Sequence, residues 1–301
     1  MTSKKRWGVA QRLEFIEFFS FWEGGINRSN LIEQFGVSAP QASTDLTTYQ
    51  QLAPKNLRYD LSSKRYVATD EFEFKLTRPD ADRYLKQLTA LATHTMERAD
   101  SWLGSVPTAD IIPIPARRVD PLFLRSVLKA VRAKQSIEIE YQSMSTTAPE
   151  SLWRRITPHA FGSDGLRWHV RAYCHKDSRF KDFLLSRCWG ARNEGESGAD
   201  AAADLQWANY FDVELVPNPD LSLSQKRAIE FDYSMTDGKM VLPVRYALLY
   251  YFDKRLRSDI AIRQAYGALG DPREAPIVVA DIREYVKALR SVGVHIPLDF
   301  L

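Results

Sequence analysis

Between Trp153 and Arg187 the chain gathers side chains that hold anions and stack on flat rings: Arg154, Arg155, His159, His169, Arg171, Tyr173, Ser186 and Arg187, with Tyr141 just before them. Arginine presents a planar fork that gives phosphate two parallel charge-assisted hydrogen bonds, and Tyr or His can lie against a base. Together these types suit a phosphorylated aromatic ligand. Taken singly, each arginine also fits a solvated surface charge, and a lone histidine more often packs than ligates. A second polar set lies near the N-terminus: Ser38, Gln41, Ser43, Thr44, Thr47 and Thr48, followed by Arg58, Lys64 and Arg65. Short hydroxyls and an amide suit base edges and phosphates, and a few cations suffice to grip a nucleic-acid backbone.

The elements that must position the second set are legible. Val9, Leu13, Ile16 and Phe19 recur at helical spacing and form one apolar face. Phe15, Phe18 and Trp22 form another, a surplus expected to meet a second subunit or the following helices. Gly24 and Gly25 end that helix. Residues 28–35 predict a short helix, Gly36-Val37-Ser38 a tight turn, and Ala39 to Leu52 a second helix capped by Ser38 with Pro40 in its first turn. Helix, short glycine-containing turn and helix is the arrangement that lays the second helix in a major groove, although helical hairpins that never touch DNA share the pattern. Leu57 to Asp60 and Arg65 to Ala68 flank a turn and predict a β-hairpin wing. Asp80 to Leu103 carries a helical stripe of Leu85, Leu88, Ala92, Thr95, Ala99 and Trp102, expected to bridge to the next domain.

The first set sits on a different pattern. Pro121 to Lys134 is helical, and then Ile137, Ile139 and Tyr141 alternate with glutamates. Strands are expected at 153–157, ending at Pro158, at 166–173 and at 183–187. One helix and several short antiparallel strands imply a small β-barrel. Alternation along 168–173 sends Trp168, Val170 and Ala172 to the core and His169, Arg171 and Tyr173 to the other face. Beyond it the chain predicts a strand over 207–215, a short helix over 223–231 with Ser224 as a possible cap, and an aromatic helix over 243–256.

The order of these residues resembles a known family. The helix, the strand with Tyr141, Arg155-x-x-Pro158, Gly165-x-x-Trp168-His169-Val170 and the closing Ser186-Arg187 resemble a WYL domain. His169 and Val170 replace the Tyr and Leu of the name-giving triplet, and Ser186 replaces the usual Asp. These departures are similar to WYL regulators encoded beside bacterial phage-defence systems such as BREX and CBASS. That resemblance implies a winged helix-turn-helix, a WYL domain of Sm/SH3-like barrel form and a C-terminal extension. It also implies a dimeric repressor that binds a palindromic operator in double-stranded DNA and responds to a nucleotide or short nucleic acid.

Composition bounds the alternatives. The 301 residues, 45% hydrophobic and 26% charged, point to a multidomain α+β protein. Breakers at 105–117 and 193–204 divide it into a DNA-binding head over 1–78, a helical bridge and linker over 79–117, a sensing domain over 118–192 and a dimerisation extension over 193–301. Residues 118–192 carry 14 Lys and Arg against 7 Asp and Glu, whereas 193–301 carry 12 against 17. Opposite charges of +7 and −5 favour an anionic ligand and contacts between these segments, here expected to be exchanged between subunits. No apolar run reaches the roughly 18 residues of a membrane span, no export signal is visible, and two cysteines are too few for a disulfide framework, so a cytoplasmic protein is expected. No phosphate loop, HExxH helix, Gly-x-Ser-x-Gly elbow or CxxC occurs, and neither a cofactor nor a metal is expected. The alternatives are a nuclease built from dispersed carboxylates and an adaptor that binds nucleic acid without sequence preference.

Overall fold

The structure is a computed structural model that describes residues 2–144, 150–256 and 272–296, with the side chains of 2–7 and 256 excepted. The chain forms two compact units, Met1–Pro113 and Ile114–Leu301, and the division falls inside the proline-rich stretch. Among the described residues no helix is long and apolar enough to cross a membrane.

The first unit runs α1 (Thr2–Glu23), β1 (Gly25–Ile26), α2 (Arg28–Phe35), α3 (Ala39–Leu52), β2 (Leu57–Asp60), β3 (Arg65–Ala68) and α4 (Ala81–Ala92). Its three strands pair antiparallel in the order β1-β3-β2, so the hairpin is tied to the end of α1. Only glycine fits at position 25, where a Cβ would meet the Tyr66 carbonyl oxygen at 2.2 Å. Local chemistry sets the helix-turn-helix. Asn27 and Asn30 cap α2 reciprocally, Gly36 closes it in the left-handed region at φ 63°, and the Ser38 hydroxyl accepts from the Gln41 N–H at the start of α3. Leu13, Ile16, Leu31, Leu46, Tyr49 and Leu57 are buried in the core they share.

The second aromatic face of α1 is covered by its own chain rather than left for a partner. Phe15 meets Phe35 and Trp102 edge-on, Phe18 meets Trp102, and Trp22 packs on Tyr84. Two acidic residues of α1 fasten the covering segments. Glu17, fully buried, accepts from the backbone N–H groups of Lys75, Leu76 and Thr77, and Glu23 accepts from those of Gly104 and Ser105. The helix expected to reach Leu103 therefore ends at Ala92. Thr93 and Thr95 hydroxyls turn back onto the carbonyls of Thr89 and Ala90, His94 adopts φ 53°, and the chain reverses so that Trp102 lies under the Arg83 guanidinium.

The second unit opens with α5 (Pro121–Ala133), β4 (Ser136–Tyr141), β5 (Leu152–Ser163), β6 (Trp168–Cys174), β7 (Arg179–Leu184) and β8 (Cys188–Gly195). The sheet order is β7-β6-β5-β4-β8, and α5 packs Phe123, Val127 and Ala130 onto Ile137, Ile139, Ile156, Val170 and Ala172. The expected closed barrel is not seen: β7 and β8 are edges, and among the described residues no ladder joins them. β5 does not stop at Pro158. The proline stands at a bulge, where the register against β6 slips between Pro158 and Ala160, and its missing N–H is tolerated there. The last expected strand lies earlier, at 179–184, and Leu185–Arg187 forms a short 3-10 turn. β8 occupies part of what reads as linker.

The remainder carries α6 (Leu205–Ala208), β9 (Tyr210–Pro217), α7 (Leu223–Asp232), β10 (Met240–Arg245), α8 (Tyr246–Leu256), β11 (Ile277–Val279) and α9 (Ile282–Ser291), with sheet order β10-β9-β11. Val213, Leu215, Leu249, Tyr285, Val286 and Leu289 form its core. Pro243–Arg245 belong to β10 rather than to the aromatic helix, because they pair with Asp212–Tyr210 of β9. The cap of α7 is Ser222, in a capping box with Gln225, rather than Ser224.

Candidate nucleic-acid interface and ligand face

The exposed side of α3 carries Thr44 and Thr47, flanked by the half-buried Gln41, Ser43 and Thr48, while Ala42, Leu46 and Tyr49 are buried beneath. Ser43, Thr44, Thr47 and Thr48 each donate their hydroxyl to the carbonyl four residues earlier, at 2.8–3.0 Å. What they turn outward is therefore acceptor lone pairs and threonine methyls. Gln41 is fixed from behind: its Nε2 donates to Asp45 at 3.0 Å, and buried Asp45 takes a two-pronged ion pair from Arg12 at 2.6 and 3.2 Å. One amide hydrogen and the carbonyl oxygen of Gln41 remain for a partner. In the wing turn, hydrogen bonds from Ser63 and Ser62 hold the Asp60 carboxyl down at about 2, and Lys64 adopts φ 52°. Arg58 and Lys64 are exposed. Arg65 is not part of that tip, since its Nη2 donates to the Glu23 carbonyl at the end of α1.

On β6 the alternation holds for Val170 and Ala172, which are core, but Trp168 at the strand end is 57% exposed rather than packed. The opposite face is buried too. His169 is 5% and Arg171 4% exposed, because the segment after β8 and helix α8 lie across them. Arg171 donates through Nε and Nη2 to the two Asp204 oxygens at 2.7 and 3.0 Å, through Nη2 to Gln206 at 3.0 Å, and pairs with Asp182 at 3.4 Å. His159 Nε2 lies 3.0 Å from Asp204 Oδ2. Burial opposes the Asp204 charge, yet the hydrogen bonds from His159 and Arg171 hold its carboxyl far below the usual carboxylate range. Asp182, by contrast, is pushed up by burial despite Arg171. His169 stacks on Tyr251 of α8 at 4.5 Å, and burial drives its imidazole down to about 4, so it is neutral at pH 7. Tyr173 and His159 both meet Phe180.

The other expected members do not join this face. Arg155 is spent on Glu138, Ser136 and the Asn193 carbonyl beside β4 and β8. Arg154 stands opposite Ile139 on the core side, 3.7 Å from Asp177. Tyr141 packs on Phe183 at 5.1 Å and is pushed up by burial, while Arg187 and Ser186 sit in the 3-10 turn. The nine residues thus fall into four places. Asp204, Asp182, Gln206 and Tyr251 escape sequence reasoning; the opposite charge of the two segments is a signal for Asp204 alone, and the other three have none. Part of that complementarity is met within the chain: Asp204 reaches Arg171, and Glu194 reaches Lys129.

Comparison with known proteins matches three consecutive models: the BrxR transcriptional regulator winged helix-turn-helix domain over residues 8–90, the WYL domain over 117–192, and the BrxR transcriptional regulator C-terminal dimerization domain over 210–285. The chain is 42% identical over 246 residues to the DNA-binding transcriptional repressor CapW of Escherichia coli strain KTE188, covering 82% of each chain. It is 38% identical to CapW of Stenotrophomonas maltophilia over 96% of this chain and 95% of that one, and 40% identical to CapW of Pseudomonas aeruginosa over 85% and 86%. This chain belongs to the CapW family. Its winged-helix match spans most of α1 through most of α4, so in this CapW relative the covering helix is part of the matched head. The WYL match ends at Arg192, and Asp204, which closes the polar face of β6, lies between the second and third matched segments. A solved structure of the proteasome accessory factor B/C of Arthrobacter aurescens is 19% identical with a TM-score of 0.28, covering 93% of this chain and 45% of that one, a likeness too slight to bear on the fold.

Proposed function

We propose that this chain is a dimeric DNA-binding transcriptional repressor of a phage-defence operon. It acts in the cytoplasm, reads a palindromic operator with α3 and the wing, and is controlled by a nucleotide or short nucleic acid bound in its WYL region. The observation that carries the reading is α3: a polar face of Gln41, Thr44 and Thr47 stands clear of the core, and the Arg12–Asp45 pair sets the Gln41 amide from behind. A helix presented in this way enters a major groove, and Arg58 and Lys64 on the neighbouring hairpin meet phosphates. Two heads joined by the C-terminal extension read two half-sites, which turns weak single contacts into specific affinity. The names of the relatives, and a C-terminal match described as a dimerization domain, support a regulator over an enzyme.

Operator selection from random DNA, followed by titration at several salt concentrations, tests the reading. Gln41→Ala changes the preference at one base position by about 1–3 kcal/mol, whereas Lys64→Ala weakens all sequences alike and lowers the salt slope by about 1. Unchanged base preference in Gln41→Ala together with Thr44→Ala removes α3 from the interface.

A further inference from the structure

The cationic face of β6 already has an occupant. The Arg171 fork and the His159 ring nitrogen surround one carboxylate, that of Asp204, at 2.7–3.0 Å, which is the cradle a phosphate oxygen pair would take. The segment that delivers it, residues 193–204, has Glu194, Glu196, Asp200 and Asp204, no Lys or Arg, and otherwise small residues. Much of it is exposed, and it is held midway by the Gly198 N–H on the Thr157 hydroxyl at 2.9 Å. Beside the cradle a cavity of about 700 Å³ has Arg171, Arg179 and Lys181 among the residues of one wall and Tyr246, Tyr250 and Tyr251 on the α8 side. That volume lies within the range of small-ligand sites. Arg179 makes no ion pair among the described residues, so this wall has a charge to spare, while Lys181 is held by Asp177.

We propose that Asp204 is an intramolecular stand-in for the phosphate of a nucleotide: the ligand's 5′-phosphate displaces the carboxylate from Arg171 and His159, its base enters the cavity against the α8 tyrosines, and the freed segment 196–204 alters operator affinity. A phosphate monoester carries nearly twice the charge of a carboxylate and can engage Arg179 as well, so the exchange favours the ligand, and Asp204 recovers its hydration on leaving. The segment then acts as a competitor that sets the ligand threshold. The inference rests on the ligand-controlled repressor reading above.

The test uses the full chain. The four 5′-phosphorylated homodinucleotides (pApA, pGpG, pCpC and pUpU) and, separately, inorganic pyrophosphate are titrated by calorimetry into wild type, Asp204→Asn and Arg179→Ala, with release of labelled operator followed on the same preparations. The expected result is at least tenfold tighter dinucleotide binding by Asp204→Asn, operator release at correspondingly lower concentration, and at least tenfold weaker binding by Arg179→Ala. Pyrophosphate binding as tightly as every dinucleotide overturns the role of the base. Operator release in wild type with unchanged affinity in Asp204→Asn overturns the displacement and leaves ligand control standing. No dinucleotide binding by either protein overturns both. Should Asp204→Asn not fold, glutamyl endopeptidase on wild type decides: saturating dinucleotide should speed cleavage after Glu196, and an unchanged rate overturns the inference.

Discussion

Arg171→Ala removes the guanidinium that two carboxylates share, one of them, Asp204, with a side chain only 2% exposed. Deleting one partner of a buried pair typically costs about 3–5 kcal/mol, because the remaining charge stays desolvated. Here two are left, but burial already pushes the Asp182 carboxyl up with Arg171 present, so proton uptake by Asp182 limits the excess. We expect a loss of about 3–5 kcal/mol at pH 7, a large fraction of the roughly 5–15 kcal/mol that holds a domain together. The pH dependence follows from the Asp204 carboxyl, which is held below its ordinary value when folded. A group of this kind contributes stability above its unfolded value near 3.8, and loses it as the pH falls through the folded value. The variant lacks this contribution, so the gap between the two proteins is fully open at pH 7 and narrows below about pH 5 as the unpaired carboxylates take protons. Urea unfolding of wild type, Arg171→Ala, Asp204→Ala and the double variant measures both the loss and the coupling energy, which should exceed about 1 kcal/mol. A loss below about 1 kcal/mol, or one equal at pH 7 and pH 4, refutes the reasoning.

Two further outcomes rest on buried groups. His169 has a folded value near 4 against an ordinary 6.5, so only the unfolded chain takes its proton between these values; stability therefore falls with pH across this window by up to about 3 kcal/mol, and His169→Phe should lack that slope in denaturation curves at pH 7.5, 5.5 and 4.5. Glu17→Ala leaves the N–H groups of Lys75, Leu76 and Thr77 without their acceptor; a loss of about 2–4 kcal/mol and faster amide exchange confined to residues 73–77 are expected, and unaltered exchange there would sink the assignment.

The head was legible where short-range chemistry decides. Residues 28–35, 39–52, 57–60 and 65–68 form the elements their own caps, turns and alternation predict, because Ser38 with Pro40, Gly36 and the Asp60 turn act within four residues of the backbone they shape. The error over 93–103 has the opposite origin. A helical stripe runs through Thr95 and Ala99, but the ring of Trp102 is worth more against Phe15 and Phe18, nearly ninety positions away, than in one further turn of helix, and nothing in the local pattern records that partner. The same contacts consume the aromatic surplus of α1, which reads as a face for a second subunit or for the following helices, in favour of the latter.

The strand 168–174 shows a subtler failure. Alternation separated Val170 and Ala172 from His169 and Arg171 correctly, and polarity then made the second pair look exposed, since a strand with one polar face usually has solvent or ligand on that side. Period two tells which residues share a face, but is silent on what covers it. A buried arginine must be neutralised, so its burial alone demands an acidic partner, and the excess of carboxylates in 193–301 was the sequence record of that demand. The partners proved to be Asp204 and, from within the basic segment itself, Asp182, which reverses the meaning of that segment: its most deeply placed cation is already satisfied. Whatever anion the protein meets must either use the cations the fold leaves unpaired, of which Arg179 borders the cavity, or compete with the chain's own carboxylate for Arg171.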